Sequence, residues 1–322
     1  MALGAQLPAS SISSIISIGT GVLLYSLMLL RPLIASNSSM VTNNVNNRWI
    51  VKRFDMRVLA VGDNCIDDYI ELGMRFPGGN ALNVAVYASR HPDVDADYVG
   101  YVGTDDNGEY LIAQIEAQGL DTGKLIIEKG VTAVTKILIR DGDRVFAEYI
   151  EGVQKDAALP YGKIPDPSSC DLIHFTGWGC GREHLKRLKE ETNALLSCDF
   201  SSNIDDPRTE IMPSLDVSFF SGSHLIKNGK DPEQALRRLK EKTTGLVVMT
   251  LGEHGSMVND GRSIYRGEAL TVEVVDTLGA GDAYIAEFLY NRIKGKSIQE
   301  AIDAGHHAAS EICKRLGAWG GD

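Results

Sequence analysis

A chain of 322 residues, 43% hydrophobic and 23% charged, can bury a large core; disorder, collagen and a polytopic membrane protein are excluded. With 43 acidic against 32 basic side chains the net charge is −11, and no local basic patch offsets it, so nucleic acid is not an expected partner. Five scattered cysteines with no Cys-x-x-Cys pair point to buried thiols in a reducing compartment, hence a cytoplasmic protein, and argue against a disulfide framework or zinc site.

The first thirty residues carry no charged side chain, and 15–30 (IISIGTGVLLYSLMLL) has the length of a signal-peptide core but is marginal for a membrane span. No Lys or Arg precedes it. The polar tract 36–47 (SNSSMVTNNVNN) that follows is not expected to pack. Residues 1–55 are therefore read as a disordered or hydrophobic leader, and a membrane is an expected partner only if that leader is native. The folded unit is 56–322.

Within it, 57–62 (RVLAVG) predicts a buried strand and 80–91 a helix with Ala81, Val84, Ala85 and Ala88 on one face. Residues 98–103 read as strand and 107–118 as a helix stopped by Gly119. Two alternating runs, 134–140 and 144–150, flank an Asp141-Gly142 turn signal. Strands at 171–175, 197–200, 217–220, 246–251 and 272–276 alternate with helices at 182–196, 232–242, 280–294 and 298–316. Such alternation predicts an α/β fold with a mainly parallel sheet between helices. The 134–150 hairpin and a strand at 66–72 break the alternation, and predict a small β-flap formed by about 66–76 and 125–150.

Four segments carry chemistry. Asp276-Thr277-Leu278-Gly279-Ala280-Gly281-Asp282 opens a helix, where glycines let several backbone N–H groups converge on one anion and Asp282 stands beside it. Charge stabilisation next to a base suits phosphoryl transfer. A plain glycine turn with Asp282 as a helix-start residue is the alternative. Pro77-Gly78-Gly79-Asn80-Ala81-Leu82-Asn83 opens another helix with bare backbone and two amides able to hold hydroxyls. Gly62-Asp63-Asn64-Cys65-Ile66-Asp67 follows the first strand, and Thr250-Leu251-Gly252-Glu253-His254-Gly255 follows a later one.

Together, in this order and spacing, these segments resemble the ribokinase-like (pfkB) carbohydrate kinases over essentially 56–319. The resemblance implies a three-layer α/β/α sandwich with a small β-sheet lid, and an enzyme that moves a phosphoryl group from ATP, with Mg2+, to a sugar hydroxyl. It implies that Asp282 is the catalytic base and that Gly279, Ala280 and Gly281 hold the transferring phosphate. It implies that Asp67, Gly78, Gly79, Asn80 and Asn83, with Asp282, bind the sugar. Thr250, Gly252, Gly255, Gly281 and His306 match nucleotide-binding positions, and Asp276 with the Gly317-Ala318 loop matches a K+-like cation site. The segments GDNCIDDY, PGGNALNVAVY, GVTAVTK, DRVFAEYIEGV and TLGEHGS are similar to members acting on fructosamines, implying a small sugar–amine whose 6-hydroxyl is the acceptor. A fructokinase- or ribokinase-type substrate, or a non-catalytic sugar- or nucleotide-binding protein of this fold, are the alternatives. The exposed flap is the expected surface for a homodimer.

Departures are specific. Ser221-Gly222-Ser223-His224 stands where relatives carry Asn-x-x-Glu, and Glu287 where they carry Gly or Ala. Trp178 and His174 are candidates for lining a larger pocket or for packing in the core. No complete Walker A motif, His-Glu-x-x-His pair or Gly-x-Ser-x-Gly turn occurs, and Gly177-Trp178-Gly179-Cys180-Gly181 lacks dinucleotide-fingerprint spacing.

Overall fold

The computed structural model describes residues 40–45, 48–53, 55–140 and 143–319, so the apolar 15–30 segment and the Asp141-Gly142 turn lie outside the described residues. The chain divides into two units, Met1–Asp55 and Met56–Asp322. In the first, β1 (Met40–Val45) pairs antiparallel with β2 (Arg48–Arg53). Residues 40–45 of the polar 36–47 tract thus lie in a strand.

The second unit runs β3 (Met56–Val61), β4 (Cys65–Tyr69), β5 (Met74–Gly78), α1 (Asn80–Ser89), β6 (Val94–Val99), β7 (Tyr101–Gly103) and α2 (Asp106–Ala117). Next come β8 (Ile126–Glu128), β9 (Val134–Arg140), β10 (Asp143–Ile150), β11 (Leu172–Thr176), α3 (Leu185–Glu191), β12 (Leu195–Asp199) and β13 (Val217–Ser221). It finishes with α4 (Ser223–Lys227), α5 (Pro232–Lys240), β14 (Leu246–Thr250), β15 (Ser256–Asn259), β16 (Ile264–Gly267), α6 (Ala280–Ile293) and α7 (Ile298–Ile312).

Eight strands form the central sheet in the order β16-β15-β14-β13-β12-β11-β3-β6. From β14 to β6 all neighbours are parallel; β15 and β16 add an antiparallel edge. Successive side chains of β3 face opposite ways, as the strand period requires. Val58 and Ala60 join the cluster formed with α1, α6 and α7, whereas Leu59 and Val61 join the one formed with α3 and α5. The result is the three-layer α/β/α arrangement. A second sheet, β10-β9-β4-β5, forms the lid, with β4 parallel to β9 and placing Asp67 opposite Thr135.

The strand expected over 98–103 breaks at Gly100 into β6 and β7, which join different sheets, the helix expected over 298–316 ends at Ile312, and two further elements differ. Residues 272–276 are not a strand: Val274 and Val275 are 57% and 59% exposed, and the N–H groups of Val275 and Asp276 both turn to the carbonyl of Cys313. Without a neighbouring strand, an apolar run has no ladder to join. The helix expected over 182–196 ends at Glu191, because Leu195 and Leu196 enter β12 beside β11. Helix ends elsewhere follow local capping. Asp105 accepts from the N–H of Gly108 at 3.1 Å, Asp231 from Glu233 at 2.9 Å, and Ser297 with Glu300 forms a reciprocal capping box.

Candidate active site

The glycine segment before α1 is shaped by what presses on it. A Cβ at Gly79, where φ is 104°, would fall 2.3 Å from the Asn64 Cα. One at Gly78 would fall 1.9 Å from the Asp67 carboxylate, so only glycine lets the strand pass that close. The loop carrying Asp63 therefore lies against the helix start, and Asp63 caps it, accepting from the N–H of Asn80 at 2.9 Å and of Ala81 at 3.2 Å. This releases the Asn80 side chain, which donates to Asp199 at 2.6 Å instead. Asn83, one turn on, donates through Nδ2 to Asp282 at 2.6 Å, while its Oδ1 accepts from the indole N–H of Trp319. Trp319 is fully buried and so fixes which face the amide presents.

Asp282 lies in the first turn of α6, behind Gly279, whose φ of 74° begins the helix. A Cβ at Gly279 would meet the Tyr87 hydroxyl at 2.5 Å and Ala318 at 2.7 Å. At Gly281 a Cβ would meet nothing within 4 Å, and no residue at this helix start offers a capping side chain. An uncapped helix start beside open space attracts anions, since its N–H groups and dipole are unopposed.

Two cavities meet at Asp282. One, of about 530 Å³, is lined by Asp67, Asn80, Asn83, Trp178, Tyr149 and Asp282 among others. The other, of about 240 Å³, includes Ser221, Thr250, Thr277, Gly279, Gly281 and Asp282. Asn80, Phe146, Ser201 and Leu278 also line both, so one continuous cleft carries carboxylate and amide side chains on one side and a helix start on the other. Burial, with the charges of Asp199, Asp63 and Asp67 nearby, raises the Asp282 carboxyl well above the usual carboxylate range, against the lowering effect of the Asn83 bond. Asp199 is pushed up to about 7, chiefly by burial and in part by Asp63, although it accepts from the N–H of Ser201 at 2.8 Å.

The cleft thus collects Asp67, Gly79, Asn80, Asn83, Thr250, Gly279, Gly281 and Asp282 from four separated segments. Gly78 and Ala280 are not among the lining residues, and Gly78 lies against Asp67. Gly252 and Gly255 form the turn between β14 and β15, with φ of 61° and 84°, and neither lines the cleft. His306 is not brought there: it is buried, 2.9 Å from the Ser256 hydroxyl and edge-on to Tyr284. Asp276 lies beneath the signature turn, accepting from the Tyr69 hydroxyl at 2.5 Å and the N–H groups of Leu278 and Gly317 at 3.0 Å. Trp178 lines the larger cavity, whereas His174 is core, 2.9 Å from Ser197. Glu287, unusual at its position, pairs with His91 at 2.9 Å, and His91 stacks on Tyr290. Asp199 and Trp319 escape sequence reasoning because each acts through a partner more than a hundred residues away.

Residues 72–320 match the profile described as pfkB family carbohydrate kinase. The chain is 36% identical over 271 residues to the fructoselysine 6-kinase of Escherichia coli K12, covering 82% of this chain and all of that protein. It is 31% identical to the fructosamine kinase FrlD of Bacillus subtilis strain 168, covering 82% of this chain and 93% of that one. The crystal structure of a ribokinase from Thermotoga maritima superposes with a TM-score of 0.66 at 23% identity, over 82% of this chain and 94% of that chain, which gives the ribokinase-like fold. On the matched profile and these identities, the chain belongs to the pfkB family of carbohydrate kinases.

Proposed function

We propose that the protein phosphorylates the 6-hydroxyl of a fructosamine such as fructoselysine, using ATP. The observation that carries this reading is the position of Asp282, whose carboxylate borders both cavities while Asn83 holds it. The two fructosamine-acting relatives support the substrate class. Asp67, Asn80 and Asn83 hold the sugar hydroxyls, and Asp282 takes the proton from the attacking one. Its raised pKa makes it a stronger proton acceptor than an ordinary carboxylate. The uncapped start of α6 receives the transferring phosphate, and Thr250 and Ser221 line the nucleotide side.

Among the described residues no cluster of three or more His, Cys, Asp or Glu is placed to hold a metal. The side-chain oxygens lining the nucleotide side include those of Asp199, Asp282, Ser201, Ser221, Thr250 and Thr277, a set that fits water-mediated contact with magnesium carried on ATP better than direct ligation. Magnesium supplies charge neutralisation on the phosphates when bound. For a potassium-like ion, Asp276 and the 317–318 loop remain the proposed position; three protein donors already orient that carboxylate.

The test is ADP release from a panel of fructoselysine, other fructosyl-amino acids, fructose, ribose and ketodeoxygluconate. The fructosyl-amines are expected to give the highest kcat/KM; a wide margin for fructose or ribose would overturn the substrate class while leaving the kinase intact.

A pH experiment separates the two carboxylates. Activity needs Asp282 ionised, so rates fall as pH drops through its raised pKa. In Asp199→Asn one of the charges raising that pKa is gone, and the acid limb of the pH–rate profile is expected to move to lower pH. Stability carries its own sign. A carboxyl raised on folding contributes stability that is present at acidic pH and lost as pH rises through about 7. The variant should therefore gain in Tm relative to the parent on going from pH 5 to pH 8. An unmoved acid limb would show that Asp199 does not act on the base.

A further inference from the structure

The larger cavity offers more than a sugar ring requires. Its charged lining is acidic, from Asp63, Asp67, Glu151 and Asp282, with one exception: Arg208 is its single cation among the described residues. Arg208 is the second residue of a 3-10 turn (Pro207–Ser214) that Asp206 caps. Asp206 holds the guanidinium as well. Its Oδ1 accepts from the Arg208 backbone N–H at 2.8 Å and from Nε at 2.7 Å, and its Oδ2 accepts from Nη2 at 2.5 Å.

That clamp takes up the Nε side of the guanidinium and fixes its plane. Nη1 has no acceptor among the described residues, and the side chain keeps 34% of its surface exposed. An oriented guanidinium with donors to spare, in a cavity that otherwise repels anions, suits one carboxylate at one place. Trp178 and Tyr101 line the same cavity and give apolar surface for a methylene chain. An acidic lining also suits the ammonium of a sugar–amine link.

We propose that Arg208 is a specificity residue that receives the carboxylate of the amino-acid part of the substrate, so that the enzyme selects fructosyl-amino acids over carboxylate-free fructosyl-amines. The proposal rests on the fructosamine reading above. It assigns no part in phosphoryl transfer to Arg208, which acts on binding.

Initial rates would be measured for the full-length parent, Arg208→Gln and Arg208→Lys on two substrates: fructoselysine and its decarboxylated counterpart, the mono-fructosyl derivative of 1,5-diaminopentane. A charge-assisted hydrogen bond of this kind corresponds to roughly a 10- to 100-fold change in binding. The parent is expected to favour fructoselysine in kcat/KM by about that factor, mainly through KM. Arg208→Gln should erase the preference by losing only the activity on fructoselysine, and Arg208→Lys should restore part of it. Equal losses on both substrates would assign Arg208 a structural role and overturn the proposal, as would no loss on either. The parent alone is decisive if a variant does not fold: equal efficiency on both substrates refutes carboxylate selection. Turnover of neither compound, with another sugar accepted, would instead refute the fructosamine reading and this proposal with it.

Discussion

Asp282→Asn is expected to lower kcat by about 10³-fold, the contribution of a positioned general base, while ATP and sugar still bind with nearly unchanged affinity. The substitution preserves shape and leaves an acceptor oxygen for the Asn83 amide, which now donates to the carboxylate at 2.6 Å. It removes only the ability to take a proton. Since burial and three neighbouring carboxylates raise Asp282, the neutral amide should also raise Tm above neutral pH. Steady-state kinetics with calorimetric binding of each substrate checks both parts. A loss confined to KM would mean that Asp282 holds the sugar and that another group accepts the proton, because uniform binding and transition-state effects separate in this way.

Gly281→Ala is the second large effect, and its value lies in what it should not disturb. Nothing stands within 4 Å of the added methyl, and Gly281 does not need a positive φ, so the fold has no reason to resist. Alanine favours helix over glycine by up to about 1 kcal/mol, so Tm should hold or rise. The methyl would, however, project into the smaller cavity at the amide to which the proposed function assigns the transferring phosphate. A loss of roughly 10²-fold in kcat is expected, comparable to removing one donor from an oxyanion site. Full activity with a normal Tm would mean that the phosphate travels elsewhere. Gly279→Ala is no substitute, since its φ of 74° and the 2.5 Å approach to Tyr87 would mix folding damage with catalysis.

Glycine segments were the most legible part of the site, because their reason is local. Gly78, Gly79 and Gly279 sit where a side chain would strike a neighbouring atom, and such a requirement leaves a short readable motif. The alternation of apolar runs likewise marked the parallel sheet through residues such as Val58 to Val61, whose burial on both faces is the physical content of the pattern. The same reasoning misplaced 272–276, since an apolar run records hydrophobicity and not the presence of a pairing partner. The capping of α1 was hidden for another reason. Asn80 is a good N-terminal residue by type, yet Asp63, seventeen positions earlier, makes the bonds to the helix amides. Asp199 gave no signal at all. It ends an ordinary strand, and its importance comes from facing Asn80 across 119 residues of sequence.

Asn83 and Trp319 are 236 residues apart, Tyr69 and Asp276 are 207, and Tyr87 and Ala318 are 231. Three clasps between early and late segments converge on the same turn. Contacts of such span close long loops, and each carries a correspondingly large entropic cost. On the function proposed above, the sugar-holding groups and the proton acceptor reside on opposite halves of the polypeptide, and severing it near the middle would leave two inert fragments that regain turnover only on reassociation. Phosphorylation competence is in this sense a reporter of complete assembly, silent until the last clasp shuts.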